Sequence, residues 1–204
     1  MITIVNYGMG NLASVQNMLK RIGTPCEITG DLDKINAARK ILLPGVGAFD
    51  AAIERIDSIG LREVLNRKAL VEKIPVLGIC LGLQLLTKSS EEGKLHGLGW
   101  IPAKTIKFNF QPPNSLKIPH MGWNEIHIVS PSKLLNELPN DPRFYFVHSY
   151  HAKVEEEKYV LARTHYGYDF DSVITNGDNI FGAQFHPEKS HKFGMKVLSN
   201  FASM

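Results

Sequence analysis

Residues 75–86, PVLGICLGLQLL, constrain the fold of this chain more than any other stretch. The apolar run 75–79 reads as a buried strand. It leads without a loop into a glycine-flanked cysteine, Cys80, and then into a helix. Gly78-Ile79-Cys80-Leu81-Gly82 has the spacing of a nucleophile elbow, with cysteine as the nucleophile. Crowding explains the glycines: at so tight a strand-to-helix turn, side chains two residues either side of the nucleophile would collide. The turn exposes the sulfur at the carboxyl end of a sheet. It also aims the first amide N–H groups of the helix at a substrate, where they favour a thiolate and a developing oxyanion.

The residues before this stretch repeat its strand-and-helix rhythm. Residues 2–7, 25–29 and 40–43 read as short apolar strands, and residues 12–22, 48–59 and 61–71 as helices. Such alternation predicts an α/β fold: an open, mostly parallel sheet with helices on both faces. After Leu86 the segments shorten. Residues 106–110, 123–129, 144–148, 159–164, 172–174 and 180–185 read as strands, so antiparallel additions are expected in the C-terminal half. Residues 109–115 read as a loop and 192–201 as a terminal helix. With 204 residues, 44% of them hydrophobic, one domain over residues 1–204 is expected.

Charge and cysteine usage exclude several classes. The net charge of +3 comes with no long basic run, which argues against nucleic acid as a partner. No apolar run approaches the roughly 20 residues that span a bilayer. The N-terminus reads as a strand, not a signal peptide. Two cysteines suit an intracellular enzyme better than a disulfide scaffold, so a cytoplasmic protein is expected. Cys26 is expected in the core of the second strand.

The other half of a site stands near the C-terminus, in Gln184-Phe185-His186-Pro187-Glu188-Lys189-Ser190. His186 and Glu188 are two apart, and in an extended segment they share one side. A histidine oriented by a carboxylate is what a cysteine nucleophile requires. The imidazole takes the thiol proton, and the carboxylate fixes its tautomer and stabilises the imidazolium. Taken singly, Cys80 reads as a small buried hydrophobe and His186 as a capping residue; together, each at the end of an apolar strand, they read as a catalytic pair. Pro44-Gly45-Val46-Gly47 closes the third strand at the same sheet end as Cys80. Its amides and that of Leu81 are candidates for an oxyanion hole.

PGVG, GICLGLQLL and QFHPEKS, in this order and spacing, resemble the class I, triad-type glutamine amidotransferases. The resemblance implies that Cys80 attacks the side-chain amide of glutamine, that His186 is the acid/base and that Glu188 orients it. It also implies that Gln84, Ser149 and Tyr150 help bind L-glutamine. NYGMGN at 6–11, PHMGWN at 119–124 and YFVHSY at 145–150 are similar to the glutaminase subunits of imidazole glycerol phosphate synthase, in histidine biosynthesis. That similarity covers nearly the whole chain. It implies a heterodimer with a cyclase barrel, which receives the ammonia through an internal channel, and an interface at or near Asn11, Trp123, Tyr145 and Lys189. No cofactor or metal is implied. From the residues alone a partner is also expected, because glutamine hydrolysis is the single chemistry legible here and free ammonia would be lost to water.

Other readings stay open. Residues 186–201 are also similar to paralogous glutaminases that supply a surface-polysaccharide sugar amidotransferase. A Cys-His-Glu site could equally serve a γ-glutamyl hydrolase or a pyridoxal-phosphate-forming complex, against which the HMGW and HSY segments speak. Gly8-x-Gly10-x-x-Ala13 fits a dinucleotide fingerprint, but Glu27 lies inside the second strand and Asp31 beyond it, so a glycine turn is preferred. His148 and His151 have ligand-like spacing, yet the segment reads as strand and then turn, and no Cys-x-x-Cys supports zinc. Trp123 reads equally as a partner contact and as a buried core residue.

Overall fold

The computed structural model describes residues 1–111 and 116–204. The N-terminal half alternates as the hydrophobic pattern predicts: β1 (Ile2–Val5), α1 (Leu12–Arg21), β2 (Cys26–Thr29), α2 (Leu32–Asn36), β3 (Ile41–Gly45), α3 (Phe49–Ser58), α4 (Leu61–Asn66), β4 (Val76–Cys80) and α5 (Leu81–Leu85). The short α2 is the one helix among these that the pattern does not show. The second half is strand-rich: β5 (Ala103–Lys107), β6 (His120–Glu125), β7 (His127–Ile128), β8 (Arg143–His148), β9 (Tyr150–Val154), β10 (Val160–His165), β11 (Asp169–Thr175) and β12 (Ile180–Ala183), closed by α6 (His191–Ser203).

The central sheet runs β2-β1-β3-β4-β12-β11-β10-β7. Its first five strands are parallel, and β11 and β10 turn antiparallel beyond β12. β9 and β5 branch off β11, while β6 and β8 form a separate two-stranded ribbon. Helices cover both faces, and β1 shows how. Ile2 and Ile4 join the core under α1 and α6, whereas Val5 joins the core under α2, α3, α4 and α5. Strand side chains alternate between faces, so a parallel strand buried on both sides needs apolar residues at every position. Each Leu or Ile buried this way contributes roughly 1.5–3 kcal/mol.

The differences from the sequence expectations are local. The expected strand 106–110 lies at Ala103–Lys107, because Lys107 pairs with Tyr150 and Thr105 with Ala152. The expected strand 123–129 divides into β6 and β7, which belong to different sheets. The turn expected after His148 is strand β9. The helix expected over 61–71 ends at Asn66 and continues as a π-helical turn, Arg67–Val71, where the buried Lys68 ammonium pairs with Glu72. Cys26 is half-buried rather than core, because β2 is the edge of the sheet. Residues 112–115 of the expected loop lie outside the described residues. Among the described residues no helix is long and apolar enough to cross a membrane.

Candidate active site

Cys80 ends β4 with φ 54° and ψ −110°, a conformation that costs an L-residue roughly 1–3 kcal/mol. Neighbouring contacts hold it there. A Cβ on Gly78 would approach the Gly82 carbonyl oxygen to 2.6 Å, and one on Gly82 would run into the Leu43 carbonyl. The glycines expected for an elbow are therefore required by the packing of α5 against β3 and β4. In the parallel register Cys80 lies beside Gly45, so the PGVG turn and the sulfur share one sheet end. The sulfur stands 3.9 Å from the Val147 carbonyl oxygen and 3.8 Å from Gln184 Nε2.

His186 follows β12, the other neighbour of β4. The sequence suggested an extended His-Pro-Glu segment. Instead Pro187–Lys189 forms a 3-10 turn, with proline at its first position where no amide hydrogen is missed. The turn still brings His186 Nδ1 to 2.8 Å from Glu188 Oε1, and both side chains are 3% exposed. It is tied to β8: His186 N donates to Tyr145 O, and Tyr145 N donates to Ser190 Oγ. Gly194 lets α6 close over the turn, since a Cβ there would strike the Pro187 carbonyl. Burial opposes a charged imidazole at His186. The Cys80 sulfur and the Glu188 carboxylate outweigh it and push His186 up to about 10. Among the described residues its Nε2 is buried without a hydrogen-bond partner.

A cleft of about 340 Å³ opens above these groups. Its lining includes Val46, Gly47, Cys80, Leu81, Gln84, Ser149, Tyr150 and His186, so nearly all the residues marked out in the sequence meet here. Glu188 lies behind His186 and does not line it, and neither does Gly45. Gly45 sits beneath, where a Cβ would approach Tyr7 Oη to 2.5 Å, and Tyr7 Oη donates to Pro44 O. Gly8 and Gly10 form a turn at this same edge, and Gly10 packs on Gly45 and Pro44. Sequence reasoning missed Glu92, a carboxylate on the cleft wall. It accepts a hydrogen bond from Phe49 N at 3.0 Å. Burial pushes it up; the Phe49 bond offsets part of that, and Asp50 adds to it. No signal near Glu91-Glu92 in the chain could have found it, because the contact joins residues 43 positions apart. A larger groove of about 580 Å³ lies along β9 and β11, away from Cys80. Of its cations Lys107, Lys153 and Arg163, the last is paired with Glu157 and Asp171, and its lining holds neither cysteine nor serine.

Beside the cleft, three histidines are embedded among aromatic rings. Phe108 contacts His120, His148 and His151, and Phe170 does the same. His148 Nδ1 lies 2.8 Å from Tyr150 O, and its Nε2 lies 3.0 Å from His120 Nδ1. The Tyr150 carbonyl can only accept. His148 therefore donates through Nδ1 and receives through Nε2, and His120 in turn receives at Nε2 from Asn124 Nδ2 at 3.2 Å. Burial pulls His120 down to about 4. It pulls His148 well below its usual value, against the bond to Tyr150, with the neighbouring histidines adding to the effect.

On the outer rim Trp123 faces Tyr145 across the β6–β8 ribbon, and Lys189 Nζ stands 5.5 Å from the Tyr145 ring. Trp123 is 47% exposed and Met121 62%, which decides against a core tryptophan. Asn11 caps α1 through Ser14 N, and α1 packs against the Pro187–Lys189 turn.

A strained cysteine elbow beside a buried His–Glu pair, on an open parallel sheet, defines a class of cysteine-dependent amide hydrolases. The family model described as "Glutamine amidotransferase class-I" matches residues 3–204. The chain is 52% identical over 201 residues to imidazole glycerol phosphate synthase subunit HisH 2 of Methanococcus maripaludis, covering 98% of each chain. It is 47% identical to the HisH subunit of Leptospira interrogans over 100% of both. Among solved structures, a glutamine amidotransferase superposes with a TM-score of 0.76 at 17% identity, over 100% of this chain and 99% of that one. PurLQS of Thermotoga maritima superposes with a TM-score of 0.71 at 16% identity, over 99% and 97%. At these identities the superpositions speak for the fold alone. The chain belongs to the class-I glutamine amidotransferases, and within them to the HisH subunits.

Proposed function

We propose that residues 1–204 form one glutaminase domain, with Cys80, His186 and Glu188 as its catalytic residues. The observation that carries this is the buried His186–Glu188 pair at 2.8 Å, whose imidazole shares a cleft with a cysteine held at positive φ. His186 Nε2 takes the Cys80 proton, and the thiolate attacks the side-chain amide carbon of glutamine. The amides of Gly47 and Leu81 receive the oxyanion, with Val46 completing the wall and Gly45 supporting the turn from below. The imidazolium then protonates the departing nitrogen, and ammonia leaves a thioester. Water, deprotonated by the same imidazole, releases glutamate and the free thiol. Gln84, Ser149 and Tyr150 hold the substrate, and the Glu92 carboxylate complements its α-ammonium.

The ammonia passes to a partner chain, a cyclase subunit that makes imidazole glycerol phosphate, and the pair works in the cytoplasm. The names of the relatives support this reading, as do the exposed Met121 and Trp123 beside Tyr145 and Lys189. An exposed tryptophan and methionine suit the centre of an interface. Co-purification from the source cell tests the partner. A bound cyclase barrel is expected, and a bound sugar amidotransferase would replace this reading. For the chemistry, a γ-diazoketone analogue of glutamine should alkylate Cys80, located by peptide mass spectrometry. Labelling elsewhere, or ammonia release that survives Cys80→Ala, would refute the assignment.

A further inference from the structure

We propose that Gln184 is a positioning residue of this site, one that donates an N–H to the Cys80 sulfur and favours the thiolate over the thiol. The inference rests on Cys80 being the nucleophile. Gln184 lies one residue past β12 and is fully buried. Its Nε2 is 3.8 Å from Cys80 Sγ, and its Oε1 is 3.4 Å from Gln84 Nε2.

The surrounding bonds settle which end of the Gln184 amide meets the sulfur. The Tyr150 carbonyl is acceptor-only and lies 3.1 Å from the Gln84 amide, so Gln84 must turn its N–H groups this way. A second N–H of that amide then points at Gln184, which must answer with oxygen. That leaves the Gln184 N–H for the sulfur. Reversing Gln184 would set donor against donor in a buried interior and leave both unsatisfied. Its backbone is fixed as well, since Gln184 N donates to Ser172 O at 2.9 Å.

The two polar neighbours of the sulfur respond oppositely to its charge. In the thiol form, S–H donates to the Val147 carbonyl oxygen at 3.9 Å. Once His186 has the proton, that contact sets a carbonyl dipole against an anion. The Gln184 contact instead becomes a charge-assisted hydrogen bond, roughly twice as strong as a neutral one. Because Gln84 donates to Gln184 in turn, the two amides polarise one another along the chain. Gln184 therefore discriminates between the two protonation states without touching glutamine, and it ties the nucleophile to a residue on the cleft wall.

The test is the pH dependence of iodoacetamide alkylation at Cys80 in the full chain, followed by peptide mass spectrometry so that Cys26 is read separately. Gln184→Met keeps the length of the side chain and removes the donor. Its alkylation midpoint should rise by about one pH unit, a tenfold weakening of the thiolate relative to the thiol, with an unchanged circular dichroism spectrum. In complex with the partner, kcat should fall about tenfold while KM changes less than threefold. Should Gln184→Met fail to fold, Gln184→Glu replaces it at equal volume, and a carboxylate beside the sulfur should raise the midpoint further. A folded variant whose alkylation curve superimposes on that of the unsubstituted chain overturns the proposal. If the γ-diazoketone does not label Cys80 in the unsubstituted chain, the nucleophile assignment fails instead, and the two failures are told apart.

Discussion

His186 and His148 line the same cleft, and the structure drives them to opposite charge states. Both are buried, and burial alone makes an imidazole shed its proton. At His148 nothing reverses this, because its neighbours are aromatic rings, a carbonyl and further histidines. At His186 a carboxylate 2.8 Å away and the Cys80 sulfur reverse it. One histidine can shuttle a proton to and from the reacting centre. The other forms a neutral wall that carries hydrogen-bond direction from Asn124 to the Tyr150 carbonyl. Position in the cleft does not set the role of a histidine here; its partners do.

The contrast breaks most visibly in activity. His186→Asn should lower glutamine hydrolysis in the complex by about 10³-fold or more, measured as ammonia release, because the sulfur loses its base. Comparable turnover in that variant would remove His186 from the mechanism. Next comes Glu188→Gln, which keeps the shape and removes the charge. A loss of about 10²–10⁴-fold is expected, as for carboxylates that orient a catalytic histidine.

A smaller and more diagnostic effect concerns the proton itself. In Cys80→Ser, imidazole NMR should show His186 titrating below its present value of about 10, because the sulfur is a principal cause of the elevation. An unchanged titration would mean that Cys80 and His186 are not coupled. The same elevation has a stability consequence. A histidine raised above its unfolded value of about 6.5 stabilises the fold fully below that pH, and the contribution fades as pH rises through about 10.

The aromatic cluster should behave in the reverse sense. His120, depressed to about 4, must stay neutral in the fold, whereas the unfolded chain protonates below about 6.5. Its contribution is present above that pH and is lost as pH falls toward 4, at no more than about 1.4 kcal/mol per pH unit. Thermal melts between pH 4 and 7 should therefore fall less steeply for His120→Phe than for the unsubstituted chain. Equal slopes in both would show that His120 carries no such linkage.

These two histidine environments were unequally legible in the sequence. The His186–Glu188 pairing could be read because the two residues are neighbours in the chain and stand in a motif. The cluster could not, because it joins β6, β8, β9, β11 and the residue after β5, through contacts between residues up to 62 positions apart (Phe108 and Phe170). The same division holds for secondary structure. The first half alternates strand and helix, so a change of hydrophobic period marks each of its elements except the five-residue α2, which is too short to show a period. In the second half the elements before the terminal helix are mostly short strands, and which strand pairs with which depends on distant partners. The start of β5 was misplaced for that reason, and β9 was read as a turn. Glu92 belongs to this second kind, and so does the role of Gln184: it stands in the QFHPEKS motif, but nothing local showed that its amide meets the Cys80 sulfur, 104 positions away in the chain.

The sequence by itself determined the elbow, the parallel half of the sheet, the candidate Cys80, His186 and Glu188, and the family. All of these follow from patterns spanning a few residues or from whole motifs. Only the tertiary structure decided that the elbow glycines are demanded by Gly82 and Leu43, that Gly45 supports the cleft from beneath while Val46 and Gly47 line it, and that Trp123 faces outward. It also decided that His148 is pushed toward the neutral form and His186 toward the charged one. The reason is physical: steric exclusion, burial and hydrogen-bond direction are properties of atoms brought together from distant parts of the chain, and a local pattern does not contain them.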